Sequence, residues 1–378
     1  MVAGVIARLG RPVALAAALV VVLAGCASDK PKPTALETVK PEIAGREVWR
    51  ARVDAVQFPL AVAVRDNTFV VAGSDGTVLA LEATSGRELW RGNAGAKLTA
   101  GVGSDGRYAA VVTRDNELVA LDRGQKLWSL RLDSSATTAP LVAGERVFVV
   151  GVDRVVQAYD VLDGRKLWRY QRSGGEALTL AQPAVLAAYK DTLLAGQGAV
   201  LVGLDPTKGG VRWEVSLTPP RGTNEGERLN DLSGPLLRLG DAVCARAFQT
   251  AVGCIDLKTN SLRWSRLAGG QQPVGGDADL LFGADGSDRI SAWKTGGGEL
   301  AWTNERLLYR GLSAPLSAGR TVVFGDFEGQ VHFLSREDGK TLLRLPTDGS
   351  PIVGQPVLSG TTMLVTTRKG ALVAFRPE

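Results

Sequence analysis

Few side chains in this sequence are of a kind that performs chemistry, and their spacing limits what they could do. The chain has one histidine and three cysteines. A lone His332 excludes metal centres built from several imidazoles and leaves one candidate base for a Ser-His-Asp arrangement. It lies in "QVHFL" (330 to 334) at strand periodicity with no serine elbow nearby, so it reads as a strand residue. Glu82, Asp122, Asp160, Asp205 and Asp256 could supply oxygen ligands, but calcium needs six to eight of them. These acids instead recur about forty to fifty residues apart, each opening a turn whose backbone N–H groups a carboxylate can accept. The glycine-rich pieces "GGQQPVGGDAD" (269 to 279) and "GADGSD" (283 to 288) lack the Lys-Ser/Thr ending of a phosphate loop and precede no helix, so they read as turns.

The cysteines divide into two cases. Cys26 follows Arg8, Arg11 and the apolar run "PVALAAALVVVLAG" (12 to 25), which is too short to span a bilayer comfortably and reads as an export signal. The ending Leu23-Ala24-Gly25-Cys26 resembles the lipobox of bacterial lipoproteins. That resemblance implies removal of residues 1–25 and acylation of Cys26, an anchor of about 0.8 kcal/mol per buried CH₂; the competing reading is a plain secretory signal with an incidental cysteine. Ala27, where lipoproteins retained at the inner membrane often carry Asp, favours the outer membrane facing the periplasm. Cys244 and Cys254 belong to the hairpin "VCARAFQTAVGCI" (243 to 255). With residues 248–250 as its loop, 244 stands opposite 254, within reach of a disulfide that an exported compartment permits. Two buried thiols are the alternative.

Positioning of these residues falls to a repeat. "VLALEATSGRELW" (78 to 90) recurs as "LVALDRGQKLW" (118 to 128), "VVQAYDVLDGRKLW" (155 to 168), "VLVGLDPTKGGVRW" (200 to 213), "AVGCIDLKTNSLRW" (251 to 264), "RISAWKTGGGELAW" (289 to 302) and "QVHFLSREDGKTLL" (330 to 343). Trp49, Trp90, Trp128, Trp168, Trp213, Trp264, Trp302 and Leu343 are therefore equivalent, at a mean spacing of about 42 residues. A period near forty made of short β-branched and aromatic runs between Gly, Asp and Asn turns predicts four-stranded blades. A lone blade would expose two apolar faces, and stacking in a ring buries both. The expected fold is all-β: an eight-bladed propeller of four-stranded antiparallel blades over residues 46–378. "ALVAFRPE" (371 to 378) lacks a tryptophan strand, and "GREVW" (45 to 49) lacks a preceding half, so the N-terminal strand should close the last blade. Residues 26–45, rich in Pro and Lys, suit a flexible tether. The tryptophans are expected to pack between blades with their N–H groups on carbonyls, and Leu343 shows that bulk suffices without a stacking cofactor.

The tryptophan repeat resembles that of pyrroloquinoline-quinone enzymes, and a lipobox, a short tether and eight such repeats over residues 1–378 together resemble the BamB family of lipoproteins. The resemblance implies a non-enzymatic scaffold without a cofactor, held at the outer membrane by its lipid alone. It would dock on the periplasmic POTRA domains of BamA in the barrel-assembly complex and help organise unfolded outer-membrane proteins. The family's partner surface combines a Leu-x-Leu-Arg run with an Asp-rich loop. Here Leu178 and Leu180 match, Ala181 stands in place of the arginine, Arg228 and Asp231 match, and Ser233 replaces a second acid. The repeat itself points to the same region, because its spacing stretches from 168 to 213 and from 213 to 264, and insertions in repeat proteins map to loops on one face.

A quinone-dependent dehydrogenase is the rival reading, and that resemblance would require vicinal cysteines and a calcium site that the sequence lacks. Binding of peptidoglycan, or service in a different envelope assembly, would keep the fold. The formal charge of +5 drops by two with Arg8 and Arg11, and there is no run of basic residues interleaved with aromatics, so nucleic acid is not an expected partner.

Overall fold

The computed structural model describes residues 31–173, 180, 182–218 and 230–377. Cys26, Leu178, Ala181 and Arg228 lie outside the described residues. The chain divides into two compact units, Met1–Pro33 and Thr34–Glu378. Of the first, the described residues 31–33 carry no regular secondary structure. The second forms eight four-stranded antiparallel sheets. Seven are consecutive in sequence and occupy residues 63–93, 103–131, 141–170, 186–216, 232–267, 275–304 and 316–346, here blades one to seven.

Blade eight combines Val357–Ser359, Thr362–Thr366 and Ala371–Pro377 with Gly45–Arg52 from the other end of the chain. The closing register pairs Arg46 with Arg376, Trp49 with Ala374 and Arg52 with Ala371. This pairing gives the ring no free blade edge at its seam, so blade eight packs on blade one as the others pack on their neighbours.

The second and third strands of each blade are buried along most of their length, as in Thr68–Ala72 and Thr77–Glu82. Neighbouring blades cover both of their faces, which is why these segments read as continuous apolar runs rather than alternating ones. Between blades two and three, for example, Ala110, Val112 and Leu118 meet Val142, Val147 and Val149, each aliphatic side chain contributing roughly 1.5–3 kcal/mol by burial.

Each of the seven repeat tryptophans sits on the outer strand beside a one-residue shift in register, opposite a small residue of the third strand: Ala80 faces Trp90, Ala158 faces Trp168, Gly203 faces Trp213 and Ala292 faces Trp302. In blade seven Phe333 faces Leu343, an exchange of small for large that returns part of the missing volume. Five indoles donate to a backbone carbonyl of the next blade: Trp49 to Ala83, Trp128 to Val161, Trp168 to Pro206, Trp264 to Thr295 and Trp302 to Arg336. The ring of each lies on a turn glycine with positive φ, as Trp302 does on Gly339, where an added Cβ would come within 2.7 Å of the indole.

Residues 34–42 of the expected tether make contacts with the blades. Thr34 donates its N–H to the Leu308 carbonyl, Leu36 packs on the blade-six core and Glu42 donates its N–H to the Leu342 carbonyl. Leu36 and Ile43 give this Pro- and Lys-rich stretch enough apolar anchors to lie along blade seven as a strap.

Candidate functional site

Antiparallel blade order places the hairpins between second and third strands, and all the connections between blades, on one face of the ring. The described ends of the two long connections identified by the stretched spacing, residues 171–173 and 182–185 and residues 217–218 and 230–231, are therefore on that face. Among the described residues, three of the expected partner-contact positions come together there. Leu180 belongs to the connection into blade four, and Asp231 and Ser233 belong to the connection into blade five and its first strand. Asp231 joins the two connections: one carboxylate oxygen accepts the Leu180 N–H at 3.1 Å and the other accepts the Arg154 guanidinium at 2.7 Å. Its own carbonyl accepts the Phe248 N–H. Arg154 comes from the hairpin of blade three and has φ 61°, so three successive blades meet at this carboxylate.

Ser233 departs from the expectation of a loop residue. It lies in the strand Leu232–Leu239, buried at 4% exposure, bridged to Ala184 and paired with Arg246. Strand pairing pulls its side chain beneath the surface. The space around Arg154, Leu180 and Asp231 amounts to about 30 Å³, room for about one water.

The turn acids behave as local caps and cross-strand partners. Asp160 accepts the Leu162 N–H, Asp205 those of Thr207 and Lys208, and Asp256 those of Lys258 and Thr259. Asp122 pairs instead with Arg107 across the hairpin, and Glu82 with Ser85 and Arg87. The Arg263 guanidinium, then the turn N–H groups, lower the Asp256 carboxyl to about 2. Among the described residues no group of three or more His, Cys, Asp or Glu side chains could hold a metal, and no helix is long and apolar enough to cross a membrane.

His332 has partners that the sequence did not reveal. It is wholly buried, with Nε2 2.9 Å from Asp326 Oδ2, and Arg344 Nε donates to its Nδ1 at 3.2 Å. A donor on Nδ1 leaves the proton on Nε2, so a neutral ring donates to Asp326. Burial lowers the His332 pKa, and the Asp326 carboxylate opposes this only in part. Burial pushes the Asp326 carboxyl up, but bonds from His332, the Gln330 N–H and Arg310 outweigh it and leave the group below its ordinary value. The pair resembles two members of a catalytic triad, yet Arg344 occupies the ring nitrogen that would face a hydroxyl nucleophile. The same arginines hold the strap: Arg310 donates to the Thr34 carbonyl and Arg344 to the Glu37 carbonyl. Asp326 lies six residues before His332 across a hairpin, a separation that suggests no pairing until the turn is built.

Cys244 and Cys254 face each other in the register of blade five and are joined by a disulfide, with Cα atoms 4.1 Å apart.

These features define a class: a closed eight-bladed propeller of quinoprotein-type repeats whose inter-blade tryptophans pack on protein, and whose polar clusters tie loops and strap to the ring. The sequence profile described as outer membrane protein assembly factor BamB matches residues 8–91 and 74–304. The outer membrane protein assembly factor BamB of Burkholderia pseudomallei is 36% identical over 98% of this chain and 99% of its own. That of Bordetella pertussis is 34% identical over 94% of each. Among solved structures, BamB from Moraxella catarrhalis superposes with a TM-score of 0.79 at 23% identity, covering 88% of this chain and 99% of that one. A quinohemoprotein alcohol dehydrogenase from Pseudomonas putida shares the fold at a TM-score of 0.64 and 15% identity, over 88% of this chain and 76% of its own. The chain belongs to the BamB family of outer membrane protein assembly factors.

Proposed function

We propose that this protein is a non-enzymatic scaffold for assembly of outer-membrane proteins, anchored through a lipid on Cys26 at the periplasmic side of the outer membrane. In this reading the face carrying the two long connections docks on the POTRA domains of BamA, with Leu178, Leu180, Arg228 and Asp231 at the contact. The observation that carries the site assignment is Asp231 bridging Arg154 and the Leu180 N–H, which ties the described residues Leu180 and Asp231 of two adjacent connections to each other. Preorganised loops lose less entropy on docking than free ones. The assembly-factor relatives support a scaffold over a dehydrogenase.

The test is affinity isolation of the lipidated protein. Asp231→Arg, which sets a second cation against Arg154, is expected to reduce recovery of the barrel subunit at least about tenfold, equivalent to roughly 1.4 kcal/mol. Adding Arg154→Asp restores the pair with reversed polarity. Recovery regained in the double variant assigns Asp231 to loop positioning, and recovery still lost assigns it to direct contact. Undiminished capture by Asp231→Arg refutes the site. Cys26→Ser is expected to move the protein from membranes to the soluble fraction, and a product that stays membrane-bound refutes the lipid anchor.

A further inference from the structure

Seven outer strands carry tryptophan and one carries Leu343, and the leucine junction is not filled. Between blades seven and eight a cavity of about 560 Å³ opens beside Leu343, within the range of small-ligand sites. Its walls are Phe333, Leu345, Met363 and Phe375, with Leu358 at the mouth, where it is 37% exposed. The surface is mostly apolar.

The repeat itself indicates what would fit. At each of the five bonded junctions the acceptor carbonyl lies three residues past the position facing the tryptophan, or Leu343, of that blade: Ala83 after Ala80, Val161 after Ala158, Pro206 after Gly203, Thr295 after Ala292 and Arg336 after Phe333. Applied to blade eight, where Ala374 faces Trp49, the same offset gives Pro377, which lines the cavity. At the five bonded junctions a turn glycine supports the indole. Here the strap residues Ile43 to Gly45 line that side, because the fourth strand of blade eight arrives from the other end of the chain. An added Cβ on Gly45 would stand 3.2 Å from Leu343 Cδ2, so the leucine is held against the strap rather than spread across the junction. The ring closure thus creates one junction with an acceptor and apolar walls but no indole.

We propose that this cavity binds an aromatic side chain, indole above all, presented by an extended apolar segment of another protein chain, with the indole N–H donated to the Pro377 carbonyl. Identifying that segment as an unfolded outer-membrane protein rests on the assembly role proposed above, whereas the site itself does not. Arg320 and Glu42 at the rim leave polar ground for the backbone of such a segment.

The experiment is ligand-observed NMR on the purified protein with N-acetyltryptophanamide as probe and N-acetylleucinamide as comparison. The tryptophan probe is expected to saturate with a dissociation constant on the order of 1 mM, about tenfold below that of the leucine probe. Leu343→Trp supplies the missing indole from within the chain and is expected to abolish binding. Leu358→Asp places a charge at the mouth without touching the buried wall, and is expected to weaken binding about tenfold even if the first variant fails to fold. No saturable binding up to about 10 mM, or binding unchanged in the folded variants, overturns the proposal. The probe experiment contains no assembly partner, so its failure removes this site and leaves the scaffold role standing, while failed partner capture leaves the site standing.

Discussion

Gly339→Ala tests whether the repeated tryptophan is a wall element defined by its contact with the next blade. Gly339 has φ +74°, and an added Cβ would lie 2.7 Å from Trp302 Cζ3 and 2.8 Å from Cε3. Holding alanine in the left-handed region costs about 1–2 kcal/mol, and forcing a methyl into the indole adds roughly 1–3 kcal/mol of overpacking. The total is about 2–5 kcal/mol. Trp302→Leu copies the natural Leu343 and removes both the ring and its 2.9 Å bond to the Arg336 carbonyl; truncation and the lost bond together cost roughly 2–4 kcal/mol. In that background only the backbone part of the glycine substitution remains, about 1–2 kcal/mol. The double-mutant cycle should therefore show a coupling of roughly 1–3 kcal/mol, with the double variant more stable than the sum of the single effects. Equilibrium urea unfolding followed by far-UV circular dichroism measures all four proteins. Additivity within about 0.5 kcal/mol would mean that the indole does not press on the turn, and the packing account of the tryptophan would be wrong.

Replacing both Cys244 and Cys254 by alanine opens a loop with a sequence separation of 10 and is expected to lower stability by roughly 2–3 kcal/mol; a urea midpoint unchanged in the double variant would refute a structural role for the bridge. His332 has a folded-state pKa below its unfolded value because it is buried. The unfolded chain then takes up a proton near pH 6.5 that the folded chain refuses, so the contribution is fully present above that pH and is lost as pH falls, by up to about 1.4 kcal/mol per unit. His332→Gln should flatten this slope between pH 7 and 5, and an unaltered slope would show that other groups cause it. Because Arg310 and Arg344 around this pair also hold the strap, proteolysis between residues 34 and 44 should accelerate over the same pH range in the unmodified protein.

The repeat made the fold readable from sequence. The tryptophans report their own equivalence, short apolar runs between turn residues set the strands, and the incomplete copies at the two ends require the closure that Gly45–Arg52 makes with Ala371–Pro377. The disulfide position followed from hairpin arithmetic, because opposed residues in an antiparallel pair are fixed once the loop is known. The family resemblance brought Leu180, Asp231 and Ser233 to attention, but only tertiary structure separated them. It joined Asp231 to Arg154 of another blade and buried Ser233 in a strand, since which side of a backbone faces solvent depends on what pairs with it. The strap, the Asp326–His332–Arg344 cluster and the cavity beside Leu343 likewise came from packing: each depends on residues far apart in the chain, and Leu343 reads as an adequate substitute for tryptophan until the space it leaves is seen. Local period decides which strands form, while the contacts between distant blades decide which side chains are held, hidden or left with room for a partner.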